Sequence, residues 1–355
     1  MFLQSKFNFI TVIPLKGDIH SVNKKPLNWH SWISGEWQLN EEKYLNDSFG
    51  FRPDFIRLNN QISYSFFNLA KARGVVVGKQ DYLFEKQYID AWSGKDFLGK
   101  DSIARVMAKV KYIQDTLKKL NKDVILIFAP GKASFFPEFI PDAFHKVRKE
   151  TNHEYFVKYA NTYGLHIIDL WTWFNKHKSS SKYPLYSKYG IHWSSYGNTI
   201  FLDTLTKYIK EMRHINMPSI IWDGVEESYE CRESDCDLSD GINLLAPLPP
   251  IKLAYPKIHC SDNFKMKPCV LAISDSHYWG VITTGMAHSV FDQPHFMYYY
   301  KENVLPGGAS IPINQVNIKA EIENHDVILI MATDATLSNF GWGFIQDAYK
   351  IYGGK

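Results

Sequence analysis

A hydroxyl, an imidazole and several carboxylates are placed in this chain where they could move a proton and form an ester. The stretch Pro268 to Trp279 carries the hydroxyl. Val270-Leu271-Ala272-Ile273 is a short apolar run that reads as a buried strand, and it stops at Ser274-Asp275-Ser276-His277. Val281, Ile282 and Met286 follow at roughly helical spacing. A strand feeding a helix through small polar residues leaves one hydroxyl at the carboxyl edge of a sheet. Free helix N–H groups beside it favour developing negative charge. Ser276 is therefore the nucleophile candidate. The same residue types also cap helices, so this serine needs a base from elsewhere in the chain.

His192 is the candidate base. It lies in Pro184 to Gly197, a loop rich in Tyr, Ser and Gly, flanked by Ile191 and Trp193. A helix follows, with Ile200, Leu202, Leu205, Ile209 and Met212 as its apolar positions. A neutral imidazole in such a loop can accept a serine proton and pass it on, because it titrates near neutrality. The competing reading is a histidine packed on Trp193 with one hydrogen bond.

The elements around these residues follow from periodicity. Asp101-Ser102 caps a helix whose stripe is Ile103, Val106, Val110, Ile113, Leu117 and Leu120. Val124 to Phe128 is a pure strand run ending at Ala129-Pro130-Gly131-Lys132. A helical segment from about Asn152 to Tyr163 leads to a strand at Leu165 to Ile168 and then Asp169. Val327 to Met331 supplies another continuous apolar strand. Strands of this kind alternating with helices indicate an α/β fold, with a parallel sheet covered on both faces.

Residues 1–73 read as an irregular extension and then a helix from Ile56 to Ala70, with Trp29, Trp32 and Trp37 among turn residues. Two short strands around a turn, within Gly74 to Lys79 and Tyr82 to Phe84, open residues 74–217, the first part of the main domain. Residues 218–267 are polar and turn-rich, acidic through Glu226 to Asp240 and proline-rich from Ala246 to Pro250, and read as an inserted lid. Residues 268–355 complete the domain. Four cysteines fall as Cys231-x4-Cys236 and Cys260-x8-Cys269. That spacing is wrong for zinc, so no metal is expected; paired disulfides and buried thiols both fit. The chain of 355 residues is 45% hydrophobic and carries a net charge of +3, too little to argue for nucleic acid. It shows neither a recognisable export signal nor an apolar run of the roughly 18 residues that span a bilayer.

Taken together, the motifs resemble a known family. Ile273-Ser274-Asp275-Ser276 is similar to the Gly-Asp-Ser block of SGNH hydrolases, with Ser274 in the glycine position. Gly190-Ile191-His192-Trp193 resembles the Asp-x-His-Trp motif of the SGNH-like alginate O-acetyltransferase family. Phe49-Gly50-Phe51-Arg52, Gly78 to Phe84, and Pro130-Gly131-Lys132 with Phe136-Pro137-Glu138 match landmarks of that family in order, over residues 40–345. The resemblance implies a flavodoxin-like SGNH core and acyl transfer through Ser276, with His192 as base.

It further implies a polysaccharide acceptor, a membrane-bound O-acyltransferase supplying acetyl, no diffusible cofactor, and a periplasmic or cell-surface setting. The family's orienting aspartate falls on Gly190 and is missing. Asp169, Asp275, Asp235 or Asp237 could substitute, a backbone carbonyl could orient His192, or the chain could be an inactive glycan-binding relic. A carbohydrate acetylesterase would use the same residues. Gly131 and Lys132 are the candidates for oxyanion stabilisation beside the Ser276 N–H. Trp193, His277 and Tyr299 are candidates for substrate contact, Tyr299 within an aromatic group, Phe296 to Tyr300, that core packing explains equally well.

Overall fold

The structure, a computed structural model, describes residues 2–7, 9–17, 22–144 and 147–354. Its strands in chain order are β1 (Val75–Val77), β2 (Leu83–Glu85), β3 (Asp123–Ala129), β4 (Ile167–Asp169), β5 (Ile220–Ser228), β6 (Leu253–Cys260), β7 (Cys269–Ser274), β8 (Asp292–Tyr298), β9 (Glu302–Val304), β10 (Ser310–Pro312) and β11 (Val327–Thr333). Seven of them form the central sheet in the order β10-β9-β8-β7-β11-β3-β4. From β8 to β4 every neighbouring pair is parallel, and β9 and β10 add an antiparallel edge.

The continuous apolar runs are strands because both of their faces are covered. On β3, Ile125, Ile127 and Ala129 join Phe174, Phe201 and Leu205 in one core, while Val124, Leu126 and Phe128 meet Met107, Val110 and Phe156 in the other. Each such side chain taken out of water contributes about 1.5–3 kcal/mol, which fixes the register of the parallel block. Helix Lys100–Lys118 lays Ile103, Met107, Val110, Ile113 and Leu117 on the second core. Its N-cap is Gly99 at φ 86°, so Asp101 does not cap it but sits in its first turn. Helix Ser195–Arg213 covers the first core and is capped by Ser194, whose hydroxyl accepts the Gly197 N–H at 3.1 Å.

Three expectations change. The chain beyond Ser276 is not one helix but a single 3-10 turn, Ser276–Tyr278, then the short helices Trp279–Thr283 and Met286–Val290 broken at Gly285, φ 71°. A helix this short supplies little dipole at the serine. The tryptophans near the N-terminus lie in helices, Trp29–Ile33 and Glu36–Asp47, and the next helix starts earlier than expected, at Arg52, with Pro53 in its first turn. The region 218–267 is not irregular. β5 and β6 pair along their whole length as an antiparallel ribbon, and Cys231 is bonded to Cys236 in the segment between them. Cys260 and Cys269 are free thiols.

Candidate active site

The carboxyl ends of the parallel strands converge on Ser276. Its Oγ lies 2.9 Å from His192 Nε2. On the other side of the ring, His192 Nδ1 lies 3.1 Å from Asp237 Oδ2. The second oxygen of Asp237 accepts the backbone N–H of Ile191 at 2.9 Å, so the carboxylate holds both the imidazole and the loop that carries it. With Nδ1–H donated to Asp237, the Nε2 lone pair faces the serine, the tautomer a general base needs. These residues arrive from three places: the end of β7, the loop before helix Ser195–Arg213, and the segment between β5 and β6.

The absence of a carboxylate at position 190 has a steric reason. A Cβ on Gly190 would lie 2.6 Å from the Ser234 carbonyl oxygen and 2.8 Å from that of Asp235. The backbone of the segment between β5 and β6 occupies the space in which a side chain at 190 would start, and the same segment delivers Asp237. The Ser187 hydroxyl donates to the Asp235 carbonyl. Beneath the loop, the fully buried Lys132 donates from Nζ to the carbonyls of Lys188 at 2.7 Å and Gly190 at 2.6 Å. Burial drives its pKa well below the usual lysine value.

Several expected site residues are elsewhere or do other work. Asp169 does not approach His192: it caps helix Leu170–His177 through Thr172 and bonds His153 Nε2 at 3.0 Å. Asp275, next to Ser276, points toward the end of β11. Its Oδ2 accepts from the Thr333 N–H at 2.9 Å and the Thr336 hydroxyl at 2.8 Å, and Oδ1 from the His277 N–H at 3.0 Å. Burial alone would raise the Asp275 carboxyl, but the bonds from His277 and Thr333 outweigh it and hold it below the usual range. It therefore anchors the turn that presents Ser276. Lys132 is turned away from the serine onto the loop carbonyls, and Gly131 does not line the site. At Gly131, a Cβ would meet Asp334 and Tyr88 at 1.9 and 2.4 Å, so glycine is there to let β3 and β11 ends pack. Asp235 bonds the Ser195 hydroxyl at 3.2 Å rather than His192, and burial raises its pKa to about 7.

Trp193, His277 and Tyr299 are at the site. The buried Trp193 packs on Phe174, Phe201 and His277. The His277 ring lies 4.7 Å from that of His192, and both of its nitrogens lack a hydrogen-bond partner. Burial lowers its pKa, opposed by Asp275 nearby. Tyr299, held at φ 49°, brings its phenol to the side chain and backbone of Ser276, and burial raises its pKa to about 12. The other aromatics of that group serve packing: Phe296 is buried and Tyr298 lies edge-on to Trp279.

A cavity of about 240 Å³ opens in front of the serine and histidine. Among its walls, Asn198, Glu233 and Trp279 were not singled out in the sequence. Asn198 donates to the Gly280 carbonyl at 3.0 Å and leaves its own Oδ1 unpartnered. Their only sequence signal is proximity: Asn198 lies one helical turn beyond Ser194, and Trp279 directly follows the nucleophile turn. Away from the site, before β11, His295, Glu321 and His325 bring ligand-type atoms within 4.8 Å of one another. Hydrogen bonds of 2.6 Å from His295 Nδ1 to Glu321 Oε2 and from His325 Nδ1 to the Glu321 carbonyl already employ those atoms.

A serine after one strand of a parallel block, with a histidine and a carboxylate in line behind it, is the constellation that serine-dependent acyl-transfer enzymes build on α/β folds. Residues 75–218 match the model of the SGNH hydrolase-like domain of acetyltransferase AlgX. The probable alginate O-acetylase AlgJ of Azotobacter vinelandii is 21% identical over 178 residues, a match spanning 50% of this chain and 44% of that relative. Among solved structures, the O-acetyltransferase domain of Pseudomonas putida AlgJ is similar at a TM-score of 0.47 and 15% identity, over 78% of this chain and 99% of that one. Pseudomonas aeruginosa AlgX gives 0.48 and 9%, over 80% and 71%. Bacillus cereus PatB1 gives 0.47 and 13%, over 76% and 99%.

Proposed function

We propose that this protein is a serine-dependent O-acetyltransferase acting on an exported or cell-surface polysaccharide, with Ser276 as nucleophile, His192 as base and Asp237 as orienting acid. The observation that carries the proposal is the unbroken line from Ser276 through His192 to Asp237, 2.9 and 3.1 Å per step. As Ser276 Oγ attacks the acetyl carbonyl carbon, Nε2 takes its proton and Asp237 stabilises the imidazolium that forms. The Tyr299 phenol, which meets the side chain and the backbone of Ser276, is the proposed donor to the oxyanion that forms there.

The proton then passes from His192 to the leaving group, and the acetyl remains on Ser276 as an ester. In the second half, His192 deprotonates an acceptor hydroxyl, which attacks that ester and frees the serine. Transfer and hydrolysis share this acyl-enzyme; which of the two wins depends on how well a sugar hydroxyl excludes water. A membrane-bound acyltransferase is the proposed acetyl supplier and the periplasm or cell surface the proposed setting, the latter in keeping with the Cys231–Cys236 bond. No helix among the described residues is long and apolar enough to cross a membrane.

The test is intact and peptide mass spectrometry after brief exposure to p-nitrophenyl acetate. One acetyl group on the peptide containing Ser276, suppressed by His192→Ala, is the expected result. Label on another residue, or labelling indifferent to His192, overturns the proposal.

A further inference from the structure

The small cavity at Ser276 does not end blindly. A second cavity of about 500 Å³ adjoins it, and Ser195, Asn198 and Glu233 line both. Its far wall is the β5–β6 ribbon, with Tyr255, Pro256 and Ile258 offering apolar surface. These wall residues lie beyond the segment that matches the family model, residues 75–218. We infer that this groove is the acceptor subsite and that it selects an uncharged or amino-bearing glycan over a polyuronate. The inference rests on the acyl-transfer reading and adds to it the charge class of the acceptor.

The argument is one of charge. The groove's cations are already engaged: Arg232 pairs with Glu226 and lies 4.4 Å over the Tyr255 ring, and Lys257 reaches the other oxygen of Glu226 at 3.7 Å. Asp223 is hydrogen-bonded to His259 at 2.6 Å. Glu233 stands at the neck between the two cavities, and no cation pairs with it among the described residues. An acceptor running from the serine into the groove therefore passes a carboxylate, and the two cations lining the groove, Arg232 and Lys257, already share Glu226. Like charge rejects the wrong partner more effectively than a missing contact does. A sugar hydroxyl or ammonium, by contrast, can donate to Glu233. Glu233 also holds φ 53°, a conformation that costs energy in a residue with a Cβ and occurs preferentially at functional sites.

Calorimetric titration of the Ser276→Ala protein tests the groove without turnover. Cello-oligosaccharide and mannuronate oligosaccharide serve as probes at low salt, with circular dichroism to confirm folding of each variant. The neutral glycan is expected to bind about tenfold more tightly than the uronate, and Glu233→Lys, tested in the same background, to remove most of that difference. Glu233→Gln falls between the two. Equal or tighter uronate binding, a ratio unmoved by Glu233→Lys, or no binding of either glycan overturns the inference. The two readings fail separately. Serine acetylation without glycan binding removes the groove alone; charge-dependent glycan binding without serine acetylation removes the chemistry alone.

Discussion

The parallel sheet and the ribbon-bearing segment between β5 and β6 hold their parts of the site by different means. Ser276 and His192 stand on elements locked by the cores: β7 is buried throughout from Val270 to Ser274, and Leu185, Tyr186 and Trp193 bracket the histidine loop in the same cluster. Asp237 stands on a five-residue helix, Asp237–Gly241, that follows a disulfide and packs in a smaller cluster with Leu238 and Ile242. In the proposed mechanism, the difference means that attack and proton transfer rest on the sheet, whereas the aim of the imidazole rests on a separable, disulfide-bearing segment. Removing parts of the first should abolish the chemistry. Disturbing the second should slow it in graded steps.

The largest effect belongs to the sheet. Ser276→Ala and His192→Ala are each expected to lower the rate of acetyl release from an activated ester by about 10⁴-fold or more, without lowering the melting temperature. Next is Gly190→Asp, which restores the motif resembled in the sequence but forces a Cβ against the Ser234 carbonyl at 2.6 Å. We expect it to cost about 1–3 kcal/mol of stability and to slow acylation rather than accelerate it. A faster enzyme would show that the segment yields to position 190 and that its packing there is incidental.

Opening Cys231–Cys236 is a milder test of the same segment. Reduction, or the Cys231→Ser, Cys236→Ser pair, should slow acylation about tenfold, a loss of roughly 1.4 kcal/mol, while the cooperative unfolding of the sheet stays in place. Unchanged acylation would mean that packing alone holds Asp237. The smallest effect is a pH dependence. The folded pKa of Asp235 is raised by burial from 3.8 to about 7, so the native state binds its proton more tightly than the unfolded chain does. Its contribution to stability is complete below the unfolded value and is lost as pH rises toward 7. Between those limits wild type should lose up to about 1.4 kcal/mol per pH unit relative to Asp235→Asn in denaturant titrations. Parallel curves would show Asp235 ionised throughout.

The same contrast explains what could be read from the sequence. The sheet was legible because strands covered on both faces must be continuous apolar runs; Ser276 was read from where one of those runs stops, and His192 from the aromatic loop ahead of an amphipathic helix. Asp237 was only one of several candidate acids, because it lies beside no strand end and in a segment whose ribbon is half-exposed and charged, as at Glu226 and Glu227, and so lacks apolar alternation. The nearest signal was the pair Cys231 and Cys236 just ahead of it. Lys132 was misplaced for another reason. Sequence gives the loop but not the direction of the side chain, and a lysine drawn under the loop by two carbonyls looks like any loop lysine until its neighbours are known.

The central claim, that the acid behind His192 comes from the segment between β5 and β6, is tested most directly by the single-turnover acetylation rate of Asp237→Asn, with Asp169→Asn measured beside it. The account predicts a loss of about 10³- to 10⁴-fold for Asp237→Asn, as expected when the imidazole loses its tautomer and its counter-charge, and a rate near wild type for Asp169→Asn. An Asp237→Asn protein that acetylates Ser276 as fast as wild type would contradict it.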